Sequence, residues 1–305
     1  MRHLLPLLVL AIAALLCPPP VVADDQRAQE ILKQARIAIG GEEILQAIQS
    51  LAIKGQYRRI LGEREMSGDR EVNILLPDKY LAEDSFSTGG MSTAMVNTRG
   101  LNSEKAWSDT SGGAGHGMII RMAGPGGQQA TPEQMEAMFR RQHSLEFTHY
   151  LLAILLMPPR SLAVQYAYAG ESDVDDAHAD AIDVSGPDNF AVRLFFDKQT
   201  HMPLLLSYRG RKPRIMTSIA RSPNTGTEEA VKKAREEAEQ KLAAGGPPKP
   251  EEVDFFIRLT NYKKVGGLML PHKLTFLTES EVSEEFEVSR YQLNPQFKSD
   301  KFQKQ

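Results

Sequence analysis

Residues 131–157 read TPEQMEAMFRRQHSLEFTHYLLAILLM. Thr131, Pro132 and Gln134 form a capping box with proline at the first helical position, which starts a helix. Met135, Met138 and Phe139 then share one face at helical spacing. From Phe147 the run turns apolar on nearly every side, through Tyr150, Leu151, Leu152, Ile154, Leu155, Leu156 and Met157, until Pro158 and Pro159 stop it. That apolar end is too short for a bilayer, which asks for about 20 residues, so protein must cover it. The flanking sequence reads as strand on both sides. The spacing therefore predicts a helix lying on, or plugging, a curved antiparallel sheet. It leaves open whether that helix is an ordinary core helix or lines a ligand cavity.

Working outward, period-two alternation marks strands over 51–61, 70–76, 80–86, 91–97 and 105–107 before the helix. After it come 162–168, 190–196, 202–208, 253–259, 268–278 and 284–293, with a hairpin at Asp197–Thr200. This is an α+β protein with a strongly curved antiparallel sheet of about ten or eleven strands, joined by short turns and lacking the strand–helix rhythm of a parallel sheet. A helix and then a second, short helix over 25–50, broken at Gly40 and Gly41, are expected to pack on one sheet face. The glycine-rich stretch 111–129 encloses Met118–Met122, read either as a short strand between loops or as a flap over an apolar opening. Residues 210–250 form a charged helical insertion with i,i+4 pairs such as Glu228/Lys232, read as a solvated excursion or a partner-binding arm.

Residues 1–23 are expected to be a signal peptide: Arg2, an apolar run from Leu4 to Leu16, and small residues ending at Ala23. Residues 24–305 then form a single periplasmic domain. The rival reading is a lipoprotein anchored at Cys17, the one cysteine in the chain. Length, 41% hydrophobic and 25% charged residues fit a globular protein, and a net charge of −3 gives no electrostatic case for nucleic acid.

The motifs of chemistry are missing. There is no His-Glu-x-x-His and no Gly-x-Ser-x-Gly, the glycine runs fit neither dinucleotide nor phosphate loops, and the mature chain has no thiol. Asp175, Asp176, His178 and Asp180 are an acidic group that reads as a strand-edge turn or a surface cation site, and His143 and His149 project from different sides of one helix. No catalytic residue, metal ligand or cofactor is assigned, and the chain is read as a non-enzyme. A hydrolase around His178 or His272 is the least favoured reading. In surplus are methionines around the middle of the chain, which suit variable lipophilic ligands or an irregular core.

The chain resembles the LolA/LolB-like group of outer-membrane lipoprotein carriers and sorting proteins. The resemblance is carried by Leu76-Pro77-Asp78-Lys79, by Gly100 followed by Trp107, and by Phe196-Asp197 with Thr200 and Pro203. It rests also on Gly266-Gly267 with Leu270-Pro271-His272 and on Asn294-Pro295 with Phe297 and Phe302. It implies an incomplete barrel whose concave apolar face is covered by helices and receives acyl chains. On this chain the implied lining is Tyr57, Val72, Ile74, Met95, Val192, Leu194, Phe255 and Ile257 on strands, with Met138, Leu151, Leu152 and Leu155 from the helix. The partner would be a lipid or lipoprotein acyl chain. The alternative is a cell-envelope interaction module with a packed core, no ligand, and protein contacts through 210–250.

Overall fold

A computed structural model describes residues 20–62, 64–86, 94–103, 105–112, 130–212 and 251–304. Helix α1 (Pro20–Ile39) and the short α2 (Glu42–Gln46) open it. Strands β1 (Ser50–Leu61), β2 (Arg64–Leu75), β3 (Lys79–Phe86), β4 (Met95–Leu101) and β5 (Ala106–Ser111) follow, then α3 (Pro132–Leu155). After α3 come β6 (Gln165–Val174), β7 (Ala177–Ser185), β8 (Ala191–Asp197), β9 (Pro203–Arg211), β10 (Glu252–Val265), β11 (Leu268–Thr278) and β12 (Glu281–Leu293). All twelve lie in one antiparallel sheet of order β5-β4-β3-β2-β1-β12-β11-β10-β9-β8-β7-β6. The edge strands β5 and β6 are not paired with each other, so the sheet is an open, curved layer rather than a closed barrel.

The strand count exceeds the expected ten or eleven by β7. Its sequence, AHADAIDVS, looks like an acidic turn because alanine and aspartate are poor strand formers. Burial overrides propensity there: Ala179, Ala181, Ile182 and Val184 are all buried. The acidic group at 173–180 is thus a hairpin, with His178 Nδ1 2.6 Å from Asp173 Oδ1 and Asp180 engaged by Arg27 at 3.3 Å. Among the described residues no group of three His, Cys, Asp or Glu is placed to hold a metal ion.

Helix α3 begins as its sequence requires: Gln134 N donates to Thr131 Oγ1 at 3.3 Å, and Thr131 N donates to Gln134 Oε1 at 3.0 Å. Its last residue is Leu155 rather than the expected Met157, because Leu156 turns into the left-handed region at φ 53°. The freed Leu156 carbonyl accepts from Arg36 Nη2 at 3.0 Å, which ties the end of α3 to α1. Gly40, at φ 140°, ends α1, and a Cβ there would stand 2.9 Å from the Gly267 carbonyl oxygen. Among the described residues no helix is long and apolar enough to cross a membrane.

The expected leader lies outside the described residues up to position 19, and Met118–Met122 lies wholly outside them. Residues 213–250 are also outside, but the connection that contains them leaves and returns on paired strands, Arg211 opposite Glu252.

A second, small core sits on the face away from the helices. Leu81 and Trp107 meet Phe302 and Phe297 of the C-terminal tail, and Trp107 lies flat over Gly100 on the neighbouring strand. A Cβ on Gly100 would come 2.1 Å from Trp107 Cζ2. Gly100→Ala is therefore expected to cost about 1–3 kcal/mol in urea unfolding. The penalty should shrink in a Trp107→Leu background; simple additivity of the two changes would show that the ring is not what forbids the side chain.

Candidate functional site

Pairing registers define the face that α1 and α3 cover. One row runs across eight of the twelve strands, from β1 to β6: Arg59, Glu284, Phe276, Ile257, Leu206, Leu194, Ile182 and Tyr168. It begins charged and becomes apolar. The neighbouring rows on the β1–β5 side repeat the polar end, with Gly55, Arg70, Asp84 and Asn97 in one and Ile53, Val72, Ala82, Arg99 and Ser108 in another. The covered face is graded, polar towards β2–β5 and apolar towards β6–β11.

The apolar part is one continuous cluster that joins sheet and helices. Of the expected lining residues, Val72, Ile74, Leu151, Leu152, Leu155, Val192, Leu194 and Ile257 all belong to it. Ala28, Leu32, Ala35 and Ile39 of α1 close the same layer. Tyr57 is buried against Phe86 at a ring separation of 5.6 Å, at the polar end of the face. Met95 is half-buried on β4 opposite Phe86, and Phe255 is half-buried and stacked on Tyr208 at 5.2 Å. Met138 stands apart, 40% exposed on the outer side of α3. His149 instead faces in, with its ring 4.1 Å from that of Tyr208; burial pushes its pKa down to about 4, so it is neutral at ordinary pH.

The polar end is an ion network that sequence reasoning missed. Asp84 is fully buried and receives Arg70 in a fork, Nε at 2.6 Å and Nη2 at 2.9 Å, with Arg99 Nη1 at 2.7 Å. Arg99 reaches up to Glu146 of α3 with two contacts of 3.2 Å, and Arg70 reaches across to Glu284 at 3.4 Å, which Arg59 also holds. The Arg70 guanidinium lies 3.5 Å above the centre of the Tyr57 ring. Burial alone would raise the Asp84 pKa; Arg70 and Arg99 outweigh it and hold the carboxyl well below the usual range. Glu146 is lowered in the same way, burial being outweighed by Arg99 and Arg70. A signal for the network exists in the sequence: Arg70 is in phase with Val72 and Ile74, and Asp84 with Tyr80, Ala82 and Phe86, so both charges fall on the inward side of amphipathic strands.

One serine–histidine contact occurs here, Ser108 Oγ to His143 Nε2 at 3.1 Å. The same nitrogen is 3.1 Å from the Trp107 carbonyl oxygen, which can only accept. Nε2 therefore carries the proton and has no lone pair with which to activate Ser108, and Nδ1 is buried without a partner. The pair pins α3 to the edge of the sheet and is not arranged as a nucleophile and base.

No protein-family model matches this chain, and no curated protein matches it. Solved structures do. A domain described as an outer membrane lipoprotein-sorting protein from Vibrio parahaemolyticus is 10% identical, with 92% of this chain and 97% of that one covered at a TM-score of 0.45. A LolA superfamily protein from Nitrosomonas europaea is 11% identical over 91% of this chain and 97% of that one, TM-score 0.43. A DUF1329 family protein from Desulfovibrio piger is 9% identical over 90% and 96%, TM-score 0.42.

Proposed function

We propose that this is an exported, non-catalytic protein of the cell envelope that binds a lipid or acyl chain between its sheet and covering helices, with a carrier role in lipoprotein sorting as the finer reading. The observation that carries the proposal is the graded face under α1 and α3. The strands pair with one another across the sheet, and the layer between sheet and helices is held by apolar side-chain contact and a few polar ties. An acyl chain entering that layer replaces one set of apolar contacts by another and leaves no backbone group unpaired. Burial supplies about 0.8 kcal/mol per methylene, so a tail of about a dozen methylenes supplies on the order of 10 kcal/mol before ordering and displacement costs.

The sequence adds the leader at 1–23 and the resemblance to the lipoprotein-carrier group. The test is titration of a delipidated sample with a fluorescent fatty acid. Saturable uptake at about one chain per protein, with blue-shifted emission, is expected, and Leu152→Trp should weaken it by filling the layer from the helix side. An unchanged spectrum over the whole titration would contradict the reading.

A further inference from the structure

The polar end of the covered face holds hydrogen-bonding groups that its ion network does not use. The phenol hydroxyls of Tyr57 and Tyr150 are buried and make no hydrogen bond. Their residues are 1% and 4% exposed, so bulk water does not serve them. They stand beside the network: Tyr57 lies under Arg70, and the Tyr150 ring is 6.2 Å from that of Tyr80, whose own hydroxyl is directed to Glu146. Buried hydroxyls are nearly always paired, and a group of them left open calls for a partner the chain itself does not provide.

The charges around them say what kind of partner fits. Arg59, Arg70 and Arg99 are answered by Glu284, Asp84 and Glu146, three cations by three anions. A phosphate or free carboxylate placed here would bring a fourth negative charge to guanidinium groups that are already neutralised, and would lose its hydration for no ion pair. A carbonyl or hydroxyl brings no charge and pairs directly with a phenol O–H.

We infer that the free Tyr57 and Tyr150 hydroxyls form a seat for the uncharged, carbonyl-bearing head of an acyl lipid, such as an ester-linked acylglycerol, whose tails run along the row towards Ile257 and Leu194. The inference rests on the acyl-binding reading and adds a selection among lipids to it. It also explains why the covered face is graded rather than apolar throughout: the head is seated near β2 and β3 and the tails lie towards β8–β10.

The test uses the full chain, delipidated, and offers dioleoylglycerol and dioleoyl phosphatidic acid separately from cyclodextrin, with bound lipid counted by mass spectrometry. Diacylglycerol is expected to bind at least about tenfold more tightly than phosphatidic acid with identical tails. Tyr57→Phe and Tyr150→Phe should each weaken diacylglycerol about fivefold to tenfold, the worth of one net hydrogen bond, and leave phosphatidic acid unchanged. Neither should lower the urea midpoint of the empty protein, because the hydroxyl removed has no partner in it. Equal binding of the two lipids, or diacylglycerol binding unmoved in both phenylalanine variants, overturns the seat while leaving the acyl-binding reading intact. No uptake of either lipid, nor of a fluorescent fatty acid, overturns that reading and the seat together.

Discussion

Asp84→Asn is expected to lower the stability of this protein by about 3–5 kcal/mol, a large share of what a domain has. The substitution keeps the size of the side chain and removes its charge. Arg70, whose side chain is 2% exposed, would then keep only Glu284, at 3.4 Å, as an anionic partner, and a buried cation without a full partner costs far more than the intact pair contributes. Replacing both members by apolar residues, Arg70→Met with Asp84→Leu, should lose less than Asp84→Asn alone. Urea unfolding measures both; a loss for Asp84→Asn below about 1 kcal/mol would mean the pair is not buried as described.

The same network sets a pH dependence. The Asp84 and Glu146 carboxyls are held below their ordinary values in the fold, while the unfolded chain takes up those protons near pH 4. Their contribution is therefore complete above that pH and drains away as pH falls towards their folded values. His149 acts in the same direction at higher pH, since the unfolded chain protonates near pH 6.5 and the folded ring only near about 4. The urea midpoint should fall in two stages between pH 7 and 3, and Asp84→Asn should shrink the lower stage.

The second large effect is in α3. Leu152 and Leu155 are 0% exposed in the layer between helix and sheet, so each change to alanine is expected to cost about 2–5 kcal/mol. Met138, on the same helix but 40% exposed, should cost less than about 0.5 kcal/mol when changed to alanine. The contrast separates two classes among residues that the sequence groups as one lining set. Similar losses at all three positions would show that α3 sits rotated from the orientation described.

Most of the architecture is legible in the sequence because it follows from periodicity. The capping box at Thr131 and the prolines at 158 and 159 bracket α3 to within two residues, and the Asp197 turn forms with its carboxylate accepting from Gln199 N and Thr200 N at 3.0 and 2.6 Å. What period-two reasoning loses is β7, where Ile182 and Val184 face inward but Asp180 precedes them in the same phase and the alternating alanines and aspartates give little hydrophobic signal. The inward phase of strand residues such as Val72, Ile74, Val192 and Leu194 is legible for the same reason the strands are, while their grouping as a lining comes from the family resemblance. The polar end is not, because Asp84, Arg99, Glu146 and Glu284 come from four separate elements and meet only through sheet register and the placement of α3. Met138 shows a related limit: it shares a face with Phe139 over one turn, yet helical period alone does not say which of the two meets the sheet.

The central claim is that the layer between α3, α1 and the sheet opens to admit a hydrocarbon tail. Native mass spectrometry of protein purified from the cells that make it, followed by organic extraction of the same sample, tests it most directly. The account predicts a bound mass that matches an acyl lipid and disappears on extraction. A single mass equal to the bare chain, unchanged after incubation with excess lipid, would contradict it.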